Sequence, residues 1–409
     1  MSLGLDSQSK GAADPDSASR ALARGDFAAA ARAFDAVPQG LTPAQRLEHA
    51  KALAMTGRLQ EAEQMAMAHL REHGPNATAF TVAAICALIT RRYSLALSHA
   101  AAAEQLDDSV QVTVYTYTAL SRLGAIHEAK SALQRMYERE RGTNFTTIND
   151  LSSLSMLLGQ AETVERLLAL SPPLNAQTGR PRYFIALPKS GGATVCSSIA
   201  RILGLPFAGA GVDLERWAGF PAPWLHPGLL RLLEGRQVMF LTHAAPLPDN
   251  VDYLRAQGVP LNVHVRDPRD ALVSLFEMGE TYGALQLLRF ERCRPGYALM
   301  DRAERLAALR RTVYPLYLAW IDGWLKLSDS QPGLVRFTTY ESFCQAPEDM
   351  VARLATGYGA PDGSAATLNT MHFRKGVVGA HRDSFSEVES RAMYDAIPAA
   401  ARDRFGWRP

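Results

Sequence analysis

The sequence has few cysteines, and they are scattered. The chain has 409 residues and only 4 cysteines, none of which form a C-x-x-C pair. No disulfide framework is therefore indicated, and isolated cysteines are typical of a reducing compartment. A hydrophobic content of 47% is ordinary for a soluble globular protein and is enough for a sizeable core.

Two further absences exclude other classes of protein. Residues 1 to 16 are polar and lack the apolar stretch of a signal peptide, and no run approaches the roughly 18 apolar residues of a membrane span. We therefore expect a cytoplasmic protein without a membrane span. The formal net charge is only +2, so no overall field favours nucleic acid, and any anion must be bound by a local arrangement.

The first part of the chain repeats itself. A turn residue, an apolar residue two positions later and a small residue five positions later recur, with turns at 25, 57, 91, 124 and 159. The separations of 32, 34, 33 and 35 residues are typical of stacked helix pairs. This pattern resembles the tetratricopeptide repeat (TPR) family over roughly five units, the fifth being degraded. The resemblance implies an all-α domain whose concave surface binds a peptide or a partner domain. A helical appendage that only packs on the rest of the chain is the alternative.

A segment rich in proline and polar residues follows the repeats, over 171–181, and predicts a linker. Beyond it, strands alternate with helices, which indicates an α/β domain. We predict an extended or disordered N-terminus over 1–17, a TPR-like helical domain over 18–170, the linker over 171–181 and the α/β domain over 182–409.

Four short apolar runs predict the buried strands of one parallel sheet. They cover residues 183–187, 238–241, 261–265 and 334–338. Each run leads to a residue able to do chemistry: Lys189, His243, Arg266 and Tyr340 respectively. Because ligands of open α/β sheets bind at the carboxyl ends of the strands, we expect these residues to share one site.

The first run ends in Pro188-Lys-Ser-Gly-Gly-Ala-Thr194, and an apolar segment follows. The order predicts a strand, a glycine loop and a helix, whose N–H groups form an anion site. Lys189 precedes the glycines, so this is not a Walker A motif. A purely structural turn is the alternative.

Two further segments carry cations that could bind phosphate groups. Arg266 and Ser274 are eight residues apart, and a helix beginning at Asp267-Pro268 lets both face one phosphate. The alternative is an Arg266 side chain paired with Asp267 or Asp270. A further loop, residues 373–379, has two adjacent cations and two glycines and suits an anion.

Together these motifs resemble the family of sulfotransferases that use 3′-phosphoadenosine 5′-phosphosulfate (PAPS), over residues 182–409. The ordered set is Pro188-Lys-Ser-Gly191, Thr242-His243, Val265-Arg-Asp-Pro-Arg-Asp270 with Ser274, Thr339-Tyr-Glu341 and Arg374-Lys-Gly-Val-Val-Gly379. The resemblance implies an α/β three-layer, P-loop-like sulfotransferase domain with a central parallel sheet. It also implies transfer of the sulfuryl group of PAPS to a hydroxyl of a glycan, small metabolite or peptide, without a metal.

The resemblance also implies roles for individual residues. His243 would be the general base, Lys189 would stabilise the leaving group, and Ser190 would restrain Lys189 until the acceptor binds. Tyr340 would lie against the adenine. The 5′-phosphosulfate would be held by Lys189, Ser190, Gly191, Gly192, Ala193 and Thr194, and the 3′-phosphate by Arg266, Ser274, Arg374, Lys375 and Gly376.

The sequence departs from the family at two motifs, and alternatives stay open. Gly192-Ala-Thr194 stands where the family has Thr-Thr-Trp, and Gly379-Ala-His381 where it has Gly-Asp-Trp. The dimerisation motif of many cytosolic members is not found, which leaves the oligomeric state open. One alternative is a non-catalytic, nucleotide-sensing adaptor whose TPR-like domain binds a protein. The other is a P-loop-type kinase with Ser190 as a magnesium ligand.

Overall fold

The structure is a computed structural model, and it describes most of the chain in separate stretches. They are residues 15–37, 40–140, 179–209, 233–256, 261–282, 296–364 and 377–409, with single residues at 151, 155, 158, 225, 230, 290, 294 and 368. The chain divides into two compact units: Met1–Ala125 with Gly279–Leu288, and Ile126–Met278 with Arg289–Pro409. No helix in the described stretches is both long and apolar enough to cross a membrane.

The first unit is built of helices. They are α1 (Pro15–Ala23), α2 (Phe27–Asp35), α3 (Pro43–Met55), α4 (Leu59–His73), α5 (Ala77–Ile89), α6 (Tyr93–Leu106) and α7 (Val110–Leu123). Helix α1 is described from Pro15 onwards, and the predicted boundary between residues 17 and 18 stays a prediction. Helix α8 (Ile126–Arg139) comes next in the chain and belongs to the second unit.

The predicted turns are present where the repeat places them. Gly25, Gly57, Arg91 and Gly124 all have left-handed backbone, with φ of +77°, +88°, +62° and +73°. The small residues five positions later are fully buried: Ala30, Ala62, Ala96 and Ala129. The apolar residues two positions after each turn are only half-buried. The TPR-like helical repeat is thereby confirmed through four turns, and the predicted fifth turn at 159 lies outside the described residues.

The second unit contains a small parallel sheet. Its strands are β1 (Arg182–Ala186), β2 (Phe207–Gly209), β3 (Met239–Thr242), β4 (Leu261–Val265) and β5 (Val335–Thr339). The order is β2-β3-β1-β4-β5, and every neighbouring pair is parallel. The four predicted strands are confirmed, and the sequence missed β2 because three residues are too few to reveal a period.

The order of the strands locates a crevice. The chain leaves β1 towards the β2 edge of the sheet and leaves β4 towards β5, although β1 and β4 are neighbours. The direction of winding therefore changes between β1 and β4. In open α/β sheets, ligands bind at such a point, beyond the carboxyl ends of the strands.

Helices accompany the sheet along the second unit. They are α9 (Gly192–Ile202), α10 (Pro248–Ala256), α11 (Pro268–Tyr282), α12 (Arg302–Thr312), α13 (Tyr314–Ser330), α14 (Tyr340–Gln345), α15 (Pro347–Gly357), α16 (Glu387–Ala396) and α17 (Ala399–Phe405). In the core, Phe184 of β1 and Leu241 of β3 pack with Val195 of α9 and Leu354 of α15. This cluster holds α9 against the sheet and so positions the loop that precedes it.

Candidate anion-binding site

The loop between β1 and α9 is a tight turn held by its own hydrogen bonds. The backbone N–H and the hydroxyl of Ser190 both donate to the carbonyl of Leu187, at 3.2 and 2.7 Å. Lys189 and Gly191 have left-handed backbone, with φ of +67° and +81°. For a lysine this conformation is strained by about 1 kcal/mol, so contacts outside the loop must maintain it.

The first turn of α9 carries unsatisfied donors. The first hydrogen bond of the helix runs from the N–H of Val195 to the carbonyl of Gly191, at 3.2 Å. Within the described part of the chain, the N–H groups of Gly191, Gly192, Ala193 and Thr194 donate no hydrogen bond. Converging N–H groups at a helix N-terminus form a site for an anion.

Thr194 adds a second kind of unsatisfied group to this turn. Its side chain is only 2% exposed, and its hydroxyl has no hydrogen-bond partner among the described residues. A buried hydroxyl without a partner is unfavourable. This hydroxyl belongs to the same helical turn as the unsatisfied N–H groups, and the turn therefore has hydrogen-bonding capacity that the chain itself does not use.

Gly192 is required by packing. A Cβ atom at this position would lie 2.5 Å from the Cβ of Ala186 on β1, which is far inside van der Waals contact. A Cβ on Gly191 would lie 3.1 Å from the ring of Tyr340. Gly192 thus allows α9 to approach β1 closely, and at this position only the backbone N–H is available to an anion.

Arg266 connects three of the predicted motifs. Its Nη1 donates to the carbonyl of Lys189 at 3.0 Å, and its Nη2 donates to the carbonyl of Val377 at 2.9 Å. Its guanidinium lies over the ring of Tyr340, 4.0 Å from the centroid. The Nε group is buried without a partner among the described residues. Arg266 thus joins the glycine loop to the segment that directly follows Gly376.

Tyr340 lies beneath Arg266 rather than in the open. The side chain belongs to the core cluster around α9 and is 5% exposed. Burial raises the pKa of its hydroxyl to about 12. Because Arg266 covers one face of the ring, the structure provides a platform for the guanidinium. The predicted contact with an adenine stays a prediction.

His243 lies against the end of β1. Its Nδ1 is 2.6 Å from the carbonyl of Ala186, and its own carbonyl accepts a hydrogen bond from the indole of Trp320 at 2.9 Å. A carbonyl oxygen only accepts, so Nδ1 carries the proton and Nε2 carries the lone pair of the neutral ring. A histidine in this tautomer can accept a proton at Nε2.

Lys189 and Ser274 are both associated with α11. The ammonium of Lys189 donates to the sulfur of Met278 at 3.3 Å, and a thioether is a weak acceptor. Ser274 is half-buried on the second turn of α11.

Ser190 is fully buried, and its hydroxyl is directed to Leu187. The predicted phosphate ligands Arg374, Lys375 and Gly376 lie outside the described residues.

The charged residues that follow β4 form buried pairs. These pairs differ from the alternative in which Arg266 pairs with Asp267 or Asp270. Asp267 pairs with Arg269 at 2.7 Å. Asp270 accepts from the N–H groups of Gly379 and His381 at 2.6 and 3.0 Å, and from the Nδ1 of His381 at 2.7 Å. Burial opposes ionisation of Asp270, but the bonds from His381 and Gly379 outweigh it and lower its pKa. These carboxylates are thus occupied by other partners than Arg266.

Sequence reasoning missed His264 as a residue of the site. This histidine is fully buried on β4. Its Nε2 is 2.9 Å from the carbonyl of Ser190, and its Nδ1 is 2.8 Å from the hydroxyl of Thr338. Burial lowers its pKa to about 4. The available signal was a histidine inside an apolar strand, which needs polar partners when it is buried.

Comparisons with known proteins assign no family to the chain. No protein-family model matches it, and no curated protein matches it. Among solved structures, MamA 41-end from Desulfovibrio magneticus RS-1 is 16% identical with a TM-score of 0.32, covering 38% of this chain and 88% of that one. A MamA RS-1 double mutant is 17% identical with a TM-score of 0.33, covering 38% and 89%. MamA AMB-1 is 15% identical with a TM-score of 0.33, covering 40% and 91%. These matches fall on the N-terminal helical part, and scores this low carry no conclusion about function.

Proposed function

We propose that the second unit is a sulfotransferase that binds PAPS and transfers its sulfuryl group to a hydroxyl of an acceptor. The observation that carries the proposal is the set of unsatisfied donors at the start of α9. Four backbone N–H groups and the hydroxyl of Thr194 have no partner among the described residues. Lys189 lies two residues before the first of these groups. An oxyanion in this turn would satisfy these groups.

The neighbouring strand ends supply the other parts that such a reaction needs. His243 contacts the last residue of β1, and Arg266 contacts the carbonyl of Lys189. The crevice between β1 and β4 is the expected place for a nucleotide. The contact of Arg266 with Val377 supports a 3′-phosphate near this arginine, because Val377 directly follows the predicted ligands Arg374, Lys375 and Gly376.

The residues of the site have chemistry suited to sulfuryl transfer. When bound, PAPS supplies an activated sulfuryl group. His243 accepts the proton of the attacking acceptor hydroxyl at Nε2, while a bond forms from that oxygen to sulfur and the bond from sulfur to the bridging oxygen breaks. Lys189 and the N–H groups of the loop stabilise the negative charge on the departing phosphate. Ser190, whose hydroxyl bonds to Leu187, holds the loop in shape.

The first experiment measures binding of the desulfated nucleotide, adenosine 3′,5′-bisphosphate, by calorimetry. We expect the wild-type chain to bind it, and Lys189→Ala to bind it about tenfold more weakly through loss of a charged contact. His243→Ala should bind it as the wild type does, since its imidazole is assigned to the acceptor. The absence of any binding heat from a folded protein would contradict the proposal.

The second experiment measures transfer from sulfur-labelled PAPS to a panel of phenols, sugars and peptides. We expect His243→Ala to lower transfer by about 100-fold or more and Lys189→Ala to lower it to a similar degree. His127→Ala, which removes an exposed histidine of α8, is the matched control and should transfer normally. Equal transfer by all four proteins would refute the catalytic assignment, and binding without transfer by the wild type would favour the adaptor alternative.

A further inference from the structure

Two residues of the β4 segment hold consecutive carbonyl groups of the glycine loop. His264 and Arg266 are two positions apart, so they share a face of the extended chain. The Nε2 of His264 is 2.9 Å from the carbonyl of Ser190, and the Nη1 of Arg266 is 3.0 Å from the carbonyl of Lys189. One short segment thereby restrains two successive peptide groups of the loop.

The tautomer of His264 follows from its partners. The carbonyl of Ser190 can only accept, so the proton of the neutral ring is on Nε2. The lone pair of Nδ1 then accepts the hydroxyl proton of Thr338, at 2.8 Å. The ring is fully buried, and its lowered pKa keeps it neutral at neutral pH. The hydrogen bonds therefore run in one direction, from Thr338 through His264 to the loop.

The hydrogen bond from His264 to Ser190 affects the orientation of a donor in the anion site. In a planar trans peptide, the C=O and N–H bonds point in opposite directions. The carbonyl of Ser190 and the N–H of Gly191 belong to one peptide group, so a carbonyl held by His264 turns that N–H away from the ring. The N–H of Gly191 is among the donors at the start of α9 that have no partner within the described residues.

We propose that His264 is a positioning residue of the anion-binding loop, which holds the carbonyl of Ser190 so that the N–H of Gly191 is directed at an oxyanion of the bound nucleotide. This inference rests on the proposed function of the same site. It assigns His264 no contact with the nucleotide. Its contribution is to fix a loop in which Lys189 has a strained, left-handed backbone with φ of +67°.

A matched pair of substitutions isolates the bond to Ser190. In His264→Gln, the longer side chain can place its amide donor near the position of Nε2. In His264→Asn, the shorter side chain places its amide near Nδ1 and reaches only Thr338. We expect the Asn variant to bind adenosine 3′,5′-bisphosphate and inorganic pyrophosphate about tenfold more weakly, and the Gln variant to stay within about threefold of the wild type.

The design separates this role from general stability. Thermal unfolding is measured for each variant, and Thr338→Val is added because it keeps the ring and its Nε2 proton. We expect this third variant to bind the nucleotide within about threefold of the wild type. A selectively ¹⁵N-labelled histidine spectrum of the wild type should show His264 protonated at Nε2 alone.

The outcomes distinguish the inference from the proposed function. If the nucleotide binds to the wild type and to the Gln and Asn variants equally, His264 has no positioning role although the proposed function stands. If the wild type binds pyrophosphate but not the nucleotide, and the Asn variant binds pyrophosphate more weakly, the proposed function is wrong and the positioning role stands. If the wild type binds neither probe, both are wrong. A ring protonated at Nδ1 alone also overturns the inference.

Discussion

Single residues of the site are constrained more by their neighbours than by their own chemistry. Tyr340, predicted as an adenine contact, supports the guanidinium of Arg266 and lies beside Gly191. Asp270, considered as a partner of Arg266, accepts instead from Gly379 and His381. Residue types thus predicted a candidate site at the strand ends, but the bond each side chain makes depends on segments that are distant in the sequence.

Gly192 offers a direct test of the close approach of α9 to β1. We expect Gly192→Ala to lower the free energy of unfolding by about 1–3 kcal/mol, because the new methyl group would collide with Ala186, 2.5 Å away. Urea unfolding of the full chain measures the change. Gly357→Ala is the control, since its nearest neighbour, a nitrogen of Arg336, is 3.9 Å from the added Cβ. Equal losses in the two variants would contradict the packing argument.

His264 predicts how stability depends on pH. The pKa of His264 is about 4 in the folded state, below the ordinary histidine value of about 6.5, so the unfolded state binds the proton more tightly. The contribution of neutral His264 to the free energy of unfolding is therefore complete above the pKa of the unfolded state, and it falls as the pH drops from about 6.5 to about 4. We expect His264 to account for about 3 kcal/mol of that loss.

Urea unfolding of the wild type and of His264→Gln at about pH 7 and about pH 4.5 checks this. Because glutamine does not titrate, the loss on acidification should be smaller in the variant. The same loss in both proteins would mean that His264 is not held neutral in the folded state.

Among the elements, the helix pairs are the part that the sequence predicted best. Their turns occur at the predicted positions with left-handed backbone, because the repeat is local and each turn is marked by its own residue. Helix α14 is different: its first residue is Tyr340, and its position depends on contacts of that side chain with Arg266 and Gly191. Among the described strands, the short β2 likewise pairs only with β3, and it has no signal of its own in the sequence.

The left-handed turns of the repeats predict opposite effects of two substitutions on the free energy of unfolding. Gly124 has φ of +73° and Arg91 has φ of +62°. We expect Gly124→Ala to lower the free energy of unfolding by about 1–2 kcal/mol, since a Cβ atom is disfavoured in left-handed backbone. Arg91→Gly should raise it by about 0.5 kcal/mol, because relief of that strain exceeds the added entropy of glycine in the unfolded chain.

Urea unfolding measures both variants. Gly357→Ala serves again as the control, because Gly357 is not among the glycines with positive φ. A destabilised Arg91→Gly variant would show that the strain of this turn is outweighed by contacts of the arginine side chain.

At the scale of the whole molecule, the chain consists of two compact units with separate cores. Many buried residues of the first unit are alanines between helices, such as Ala62 and Ala83, whereas the buried residues of the second include large aromatic side chains such as Phe184 and Trp324. Compact units of one chain can unfold in separate transitions.

We therefore expect two transitions in scanning calorimetry of the full chain. Adenosine 3′,5′-bisphosphate should raise the midpoint temperature of the second unit's transition alone. At a concentration 100 times Kd, it should add about 2.7 kcal/mol to the free energy of unfolding of that unit. The variants Gly57→Ala and Gly192→Ala assign the two transitions, since each should lower one of them. A single transition, or a shift of both with the nucleotide, would contradict independent unfolding.

Local patterns were sufficient to predict the helical repeat and the strands β1, β3, β4 and β5, and they led to the hypothesis of a site at the strand ends, which stays a prediction. These features follow from turn residues, periodicity and apolar runs, which act over a few neighbouring residues. The strand order, the pairing of Asp270 with His381 and the role of His264 could not be read in this way. They join residues that are about 74 to 111 positions apart, and such contacts depend on how the sheet is wound and on which buried polar groups still need a partner.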